Sequence, residues 1–171
     1  LEQVVVKEIP LRQGVRGTAL QVGDLKGVIL NPPSTYRFGE AADLNNSSLV
    51  LLLDYQGVRL LFTGDVEAAA ESEILAVYGE GLRANLLKVG HHGSDTGTGR
   101  EWLDQIGPEL GVISVGAVNP FGHPGATALS RLGEAGVRVY RTDQAGRLTL
   151  KIRPGRCGGL AQLRVESEGK R

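Results

Sequence analysis

The chain has 171 residues, of which 41% are hydrophobic, and its 19 acidic and 19 basic residues give a formal net charge of zero. Zero net charge excludes a global electrostatic attraction to nucleic acid. The single cysteine, Cys157, excludes an internal disulfide and a thiolate zinc cluster. The sequence contains no apolar run of about 18 residues, the length that would indicate a membrane span. The length suits one domain with a sizeable core, so we predict a single domain over residues 1–171.

The predicted elements alternate strands and helices through the middle of the chain, with strands at both ends. Glycine-punctuated strands, a polar loop and a β-hairpin come before the first helix. In chain order the predictions are strands within 4–30, a loop at 31–46, a hairpin of 49–53 with 60–62, a helix at 66–78, a strand at 86–89, a helix at 100–106, a strand at 110–115, a helix near 126–135, and a hairpin of 137–141 with 147–152. This order indicates a layered α/β fold.

Three strand-to-loop junctions carry side chains that can bind metal or transfer protons. Asp65 follows the second strand of the hairpin, His91 and His92 follow the next strand, and His123 lies in the loop after residue 115. Strand ends in one α/β sheet can meet at a single edge, where such folds place their sites. The pattern therefore predicts one site at that edge.

Each junction has a second interpretation. Asp65 precedes a predicted helix and is equally suited to its N-cap, since aspartate accepts hydrogen bonds from free N–H groups there. The two adjacent histidines also suit a surface turn. His123, between Gly122 and Pro124, also suits a loop residue bonded to backbone.

The C-terminal end is basic. Residues 151–171 hold six basic and two acidic residues, and we treat 152–171 as a basic extension. Such a segment contacts phosphates or forms a solvated, frayed end. With one Trp and three Phe, the composition indicates no aromatic platform for stacking single strands.

The motifs TGD at 63–65, LKVGHHGS at 87–94, ISVG with N-x-FGHP at 113–124 and VYRTD-x-x-G at 139–146 occur in that order. With NNSSLV at 45–50, they resemble the C-terminal metallo-β-lactamase-like domain of the ComEC family of bacterial DNA-uptake channel proteins. The resemblance covers about residues 31–150. The H-x-[HD]-x-D-H loop of that fold is missing. We therefore expect the second half of a metallo-β-lactamase-like αββα sandwich, with mixed sheets and flanking helices.

The resemblance implies roles for the junction residues. Asp65 and His91 would ligate metal. His92 and His123 would be catalytic residues: His92 would support the metal ligands or face the substrate, and His123 would contact the scissile phosphate or shuttle a proton. The complete domain would hold two divalent ions, zinc or manganese. With two protein ligands present, we expect this chain alone to bind metal weakly or not at all. Three weaker candidates for phosphate contacts are Lys88, Ser94 and Asn119.

The implied function is metal-dependent hydrolysis of phosphodiester bonds in the DNA strand that is not imported, with this chain inactive alone. The alternative is a non-catalytic module that binds DNA or a channel partner. Expected partners are single-stranded DNA and the rest of a polytopic membrane channel, and a homodimer is a further expectation. The location implied by the resemblance is a soluble domain of a bacterial inner-membrane protein.

Overall fold

The computed structural model of the chain describes residues 7, 13–35, 44–153 and 161–168. Its main feature is a seven-stranded sheet in which the strands follow one another in chain order. The first four strands pair antiparallel and the last three extend the sheet in parallel. The strands are β1 Ala19–Val22, β2 Leu25–Asn31, β3 Val50–Tyr55, β4 Val58–Phe62, β5 Leu86–Lys88, β6 Leu110–Ile113 and β7 Arg138–Arg141.

Helices connect the parallel strands. Helix α1 (Ala68–Tyr78) links β4 to β5. Helix α2 (Arg100–Ile106) links β5 to β6, and helix α3 (Ala126–Glu134) links β6 to β7. The bounds predicted for α2 are confirmed, because Gly107 in the left-handed region ends it. A single helical turn, α4, Thr142–Ala145, follows β7.

Both faces of the central strands are covered. Leu86 and Leu87 are adjacent in β5 and both are fully buried, so their side chains pack into cores on opposite faces of the sheet. Leu87 belongs to the larger core, where Trp102 of α2 and Ile74 of α1 pack. Leu86 belongs to the smaller core beneath a two-stranded sheet.

The two-stranded sheet consists of β8, Leu148–Arg153, and β9, Gln162–Ser167, which pair antiparallel. Alternate side chains of the two strands pack on the smaller core, namely Leu150, Ile152, Leu163 and Val165. The layered α/β class is thus confirmed as a helical layer, a seven-stranded mixed sheet and a two-stranded sheet within the described residues.

The predicted hairpin of residues 137–141 with 147–152 is wrong. β7 pairs in parallel with β6, and β8 pairs with β9 instead. The α4 turn intervenes, and the chain passes from one sheet to the other. β9 lies inside the segment that we treated as a basic C-terminal extension.

A buried carboxylate joins two helices. Glu71 of α1 is 3% exposed. It accepts hydrogen bonds from the backbone N–H groups of Thr98, at 2.5 Å, and Gly99, at 2.9 Å. Gly99 is the N-cap residue of α2, so Glu71 satisfies a donor at the start of that helix. Burial raises the pKa of Glu71, while these two bonds and the charge of Arg131 oppose the rise.

This raised pKa makes stability depend on pH. Ionising Glu71 costs more in the folded chain than in the unfolded chain. Its contribution is therefore full below the ordinary pKa of 4.5 and is lost as pH rises through the folded-state pKa. We expect the stability advantage of the wild type over Glu71→Gln to shrink as pH rises. Urea unfolding between about pH 4 and pH 8 measures it.

The exposed Glu101→Gln variant is the control, and its stability difference from the wild type should stay nearly constant over the same range. An advantage over Glu71→Gln that grows with pH would contradict the expected sign.

Candidate functional site at the strand ends

The end of β4 is tied to the end of β5. The hydroxyl of buried Thr63 donates a hydrogen bond to the carbonyl of Lys88 at 2.7 Å. The N–H of His91 donates to the carbonyl of Gly64 at 3.1 Å. These bonds bring the turn that carries Asp65 beside the turn that carries the adjacent histidines.

The segment of residues 45–48 supports the Asp65 turn from the other side. Asn31 donates from its side-chain amide to the carbonyls of Asn46 and Ser48, at 2.8 Å each. The Ser48 hydroxyl then accepts a hydrogen bond from the N–H of Asp65 at 3.0 Å. The backbone of Asp65 is therefore held by a residue 17 positions away.

The same segment caps α1. Asn46 Oδ1 accepts hydrogen bonds from the N–H groups of Glu67, at 2.9 Å, and Ala70, at 3.3 Å. The N-cap position belongs to Glu67, whose side chain makes no capping bond. The interpretation of Asp65 as the N-cap is therefore wrong, because the helix begins at Ala68 and the N–H groups at its start donate to Asn46 and to the carbonyl of Thr96.

The adjacent histidines occupy strained backbone. His91 has φ 44° and ψ 45°, and His92 has φ 54° and ψ 21°, both in the left-handed region that non-glycine residues rarely adopt. Two consecutive residues in this region cost of order 1–3 kcal/mol each, and such strain clusters at functional sites. The turn delivers both rings to the sheet edge.

His92 faces a carbonyl on one side and a carboxylate on the other. Its Nδ1 lies 2.6 Å from the carbonyl oxygen of Ser114, which can only accept a hydrogen bond, so we assign the proton to Nδ1. Nε2 lies 3.6 Å from Asp65 Oδ1, and both side chains are nearly half exposed. A neutral His92 therefore presents a free Nε2 lone pair to solvent beside Asp65. This arrangement suits a proton acceptor or a cation ligand.

His91 lies against a different acid. Its Nδ1 is 3.0 Å from Glu67 Oε1, but the orientation does not form a hydrogen bond and no other described residue satisfies this shielded nitrogen. The Glu67 carboxylate also accepts from the Thr96 hydroxyl at 2.9 Å. Asp65 and His91, the predicted metal pair, thus have separate partners. Sequence reasoning missed Glu67, although its position two residues after Asp65 in an acidic stretch was a usable signal.

His123 joins the same cluster from the loop after β6. Its ring centroid lies 5.5 Å from that of His91, at an interplanar angle of 64°. Asn119 holds the His123 backbone at both ends: its Oδ1 accepts from the His123 N–H at 2.9 Å and its Nδ2 donates to the His123 carbonyl at 3.0 Å. Asn119, predicted to contact phosphate, therefore braces the loop.

The two remaining candidates lie largely inside the protein. Lys88 donates from Nζ to the carbonyl of Val89 at 2.8 Å, and burial lowers its pKa while the charge of Asp65 opposes the shift. Ser94 is 6% exposed, and its hydroxyl lies 3.0 Å from that of Thr96. Lys88 thus lies near the site, whereas Ser94 supports the turn that follows the histidines.

The cluster does not fit a complete metal centre. A structural or catalytic zinc site needs at least three protein donors, and no group of three His, Cys, Asp or Glu side chains in the described parts of the chain is placed to hold an ion. Asp65 and His92 offer two donors on one side. Two donors do not complete a catalytic metal site.

A second candidate surface lies on the outer face of the two-stranded sheet. The exposed residues Lys151, Arg153 and Arg164, which we call the basic face, alternate with the residues that pack on the core. Lys151 lies directly across from Arg164 in the strand register, and Arg153 lies diagonal to it. Glu166 forms an ion pair with Lys151 at 2.7 Å. A hydrogen bond from Lys151 and the charges of all three basic residues lower the pKa of Glu166.

Comparison with known proteins connects this chain to competence. Over 152 residues it is 37% identical to ComE operon protein 3 of Bacillus subtilis, a match that spans 89% of the chain and 18% of the relative. It is also 37% identical over 124 residues to competence protein ComA of Neisseria gonorrhoeae, spanning 72% of the chain and 18% of that protein. A 35% identical match to recombination protein 2 of Haemophilus influenzae spans 63% of the chain and 13% of that relative.

The predicted identification as the metallo-β-lactamase-like domain of ComEC is corrected to a coarser one, similarity to part of these competence-related proteins. No family model matches the chain. The relatives are named ComE operon protein 3, competence protein ComA and recombination protein 2, and none of these names describes a metallo-β-lactamase-like domain. The chain is similar to less than a fifth of each of these longer proteins. Among the described residues, no helix has the length and apolarity to cross a membrane.

The close approach at Gly64 gives a test of how the site is held. Gly64 has φ +56°, and an added Cβ would lie 2.7 Å from the Cβ of Ser48. We expect Gly64→Ala to cost about 1–2 kcal/mol in backbone strain and about 1–3 kcal/mol more in overlap. Chemical unfolding measures the loss.

The matched control is Gly57→Ala, which also has positive φ, +84°, but open space around its Cβ. In this variant the free energy of unfolding should fall only by the part that comes from backbone strain. Equal losses in the two variants would show that the contact with Ser48 does not restrain the Asp65 turn.

Proposed function

We propose that this chain is a DNA-binding module of a competence-related protein, and that the basic face contacts the phosphate backbone. One relative is a competence protein by name and another is a recombination protein, and both words denote processes on DNA. The single observation that carries the proposal is the concentration of positive charge on the exposed sheet face.

This charge arrangement is unfavourable for the fold alone. Like charges directly opposite each other across a strand pair destabilise a sheet, and Lys151 and Arg164 occupy such a pair. Glu166 partly offsets this repulsion, because it pairs with Lys151 and lies close enough to both arginines for their charges to lower its pKa. Within the described ranges, however, neither Arg153 nor Arg164 forms a direct ion pair. A polyanion that lies along this face would offset the repulsion between these basic side chains. Binding of such a polyanion would therefore explain why they lie together.

Binding of this kind has a characteristic form. Lysine and arginine contacts to phosphate position nucleic acid without specifying its sequence, and their strength falls with salt because counterions are released. The zero net charge of the whole chain does not oppose it, since a local patch attracts phosphate within a Debye length of about 10 Å. We therefore expect weak, sequence-independent and salt-sensitive binding.

The role within a larger uptake machinery belongs to the same proposal. The match spans only 18% of the Bacillus subtilis relative. The membrane channel that we expect as a partner would therefore be formed by other parts of a longer protein. Self-association also stays a prediction. Among the described residues, β1 is an edge of the seven-stranded sheet and its Val22 is 76% exposed, so this strand is the surface at which a second copy would add a strand.

Fluorescence anisotropy with labelled DNA tests the phosphate contacts. For Arg153→Gln combined with Arg164→Gln, we expect a lower affinity for single strands and duplexes of any sequence. The slope of log affinity against log salt should become shallower by about 0.7 to 0.9 for each phosphate that the variant no longer neutralises.

Arg83→Gln is a suitable control, because Arg83 is an exposed arginine in the connection between α1 and β5. It should bind DNA as the wild type does. An equal loss of affinity in the control, or an unchanged salt slope in the double variant, would contradict a specific contact at the basic face.

Phosphodiester hydrolysis at the strand ends is the second candidate function. The observation that favours it is the free Nε2 of His92 beside Asp65, within a turn that holds two histidines in strained backbone. His92 would accept a proton from the water that attacks phosphorus, while the bond from phosphorus to the leaving oxygen breaks and that oxygen takes a proton from solvent. His123 would face the substrate from the neighbouring loop. Divalent manganese or zinc, with Asp65 and His91 as ligands, stays a prediction that needs donors beyond this cluster.

Calorimetric titration with manganese and with zinc tests the metal prediction. Two available donors should give weak binding, with dissociation constants well above about 1 µM, because closed sites use more ligands. Submicromolar binding that is lost in Asp65→Ala and kept in the exposed Asp104→Ala would overturn this expectation and strengthen the hydrolytic candidate.

A further inference from the structure

Phe121 is a large aromatic residue placed almost entirely in solvent. It lies in the loop after β6 and is 77% exposed. One face of its ring lies against His123, with centroids 5.9 Å apart and an interplanar angle of 17°. The face of the Phe121 ring that points away from His123 is exposed to solvent. A single exposed apolar side chain is common, but this ring is held against His123 at the edge of the polar strand-end residues, which leaves an aromatic surface available to a ligand.

The loop that carries Phe121 is braced rather than loose. Asn119 donates hydrogen bonds to the carbonyls of Gly116, at 3.2 Å, and His123, at 3.0 Å, and accepts one from the His123 N–H at 2.9 Å. These three bonds span the residues on both sides of the ring. A ring positioned in this way loses little freedom when it binds a ligand.

We propose that Phe121 stacks on an unpaired base of single-stranded DNA and so extends the pair that it forms with His123. The inference rests on the proposed function, because it names a base contact for a chain that binds DNA. His123 itself lies edge-on to His91, so the stack would place a nucleotide over the strand-end cluster. The zero net charge and low aromatic content of the chain gave no sign of this platform.

The geometry favours a base over an apolar protein segment. A base offers a flat π-face of the size of the phenyl ring, and base–aromatic stacking is tolerant of sequence. An apolar partner would need a groove, but the other large apolar side chain of this loop, Val118, is 97% exposed and offers only an isolated contact. In a duplex both faces of every internal base are covered by neighbours, so this contact favours single strands.

Anisotropy with three probes of equal length tests the proposal: labelled oligothymidine, the same backbone without bases, and a duplex. Phe121→Leu keeps an apolar side chain but removes the ring. We expect it to bind oligothymidine about tenfold more weakly, the size of one base–aromatic stack, and to bind the abasic strand and the duplex as the wild type does. Val118→Ala, in the same loop, should leave all three affinities unchanged.

Fluorescence gives an independent measurement. In Phe121→Trp the new indole is exposed, whereas the native Trp102 is 1% exposed and provides a constant background. Oligothymidine should quench the added fluorescence, and the abasic strand should not.

The outcomes separate this inference from the proposed function. Wild-type affinity for oligothymidine in Phe121→Leu, or an equal loss on the abasic strand, would overturn stacking. The basic-face variant would still show whether phosphates are bound, because it should weaken all three probes together. Absence of DNA binding by the wild type would overturn both proposals.

Discussion

The hydrogen bonds of residues 45–48 decide where the strand-end groups lie. Asn31 at the end of β2 fixes the carbonyls of this segment. The segment in turn accepts hydrogen bonds from the N–H of Asp65 and from two N–H groups at the start of α1, those of Glu67 and Ala70. A helix cannot satisfy these N–H groups itself, so segment and helix stabilise each other. Asp65 and Glu67 are then held at the positions from which they face the adjacent histidines.

The sheet supplies the rest of the positioning. Since β4, β5 and β6 run parallel, their carboxyl ends meet at one edge, and burial on both faces fixes their register. Neighbouring strand ends therefore deliver the Asp65 turn, the histidine pair and the His123 loop together. The basic face lies on a different element, so binding of a backbone and chemistry at the strand ends are served by separate parts of the fold.

Sequence patterns predicted the elements best where a local signal determines them. The bounds of α2 follow from helix formers that end at Gly107, and the hairpin of β3 with β4 follows from two apolar runs around a polar turn. The pairing of β8 with β9 is not determined by a local sequence signal. The alternation of Leu163 and Val165 with polar residues indicates a strand, but the basic residues of the same segment fit a solvated end equally well, and no local signal separates the two.

The convergence of Asp65 with the histidines is visible in the sequence only as an expectation about strand ends, and their actual pairing depends on backbone that no motif encodes. Glu71 had no signal, because its role comes from N–H groups 27 and 28 residues away.

The period of two in β8 and β9 has an evolutionary consequence. Inward positions such as Leu150 and Ile152 hold the sheet on its core, while the outward positions contribute little to packing. Selection can therefore exchange the outward side chains, and with them the strength or ionic-strength range of attachment to a polymer, without passing through unstable intermediates. Homologues could diverge in what they hold while they keep the same scaffold.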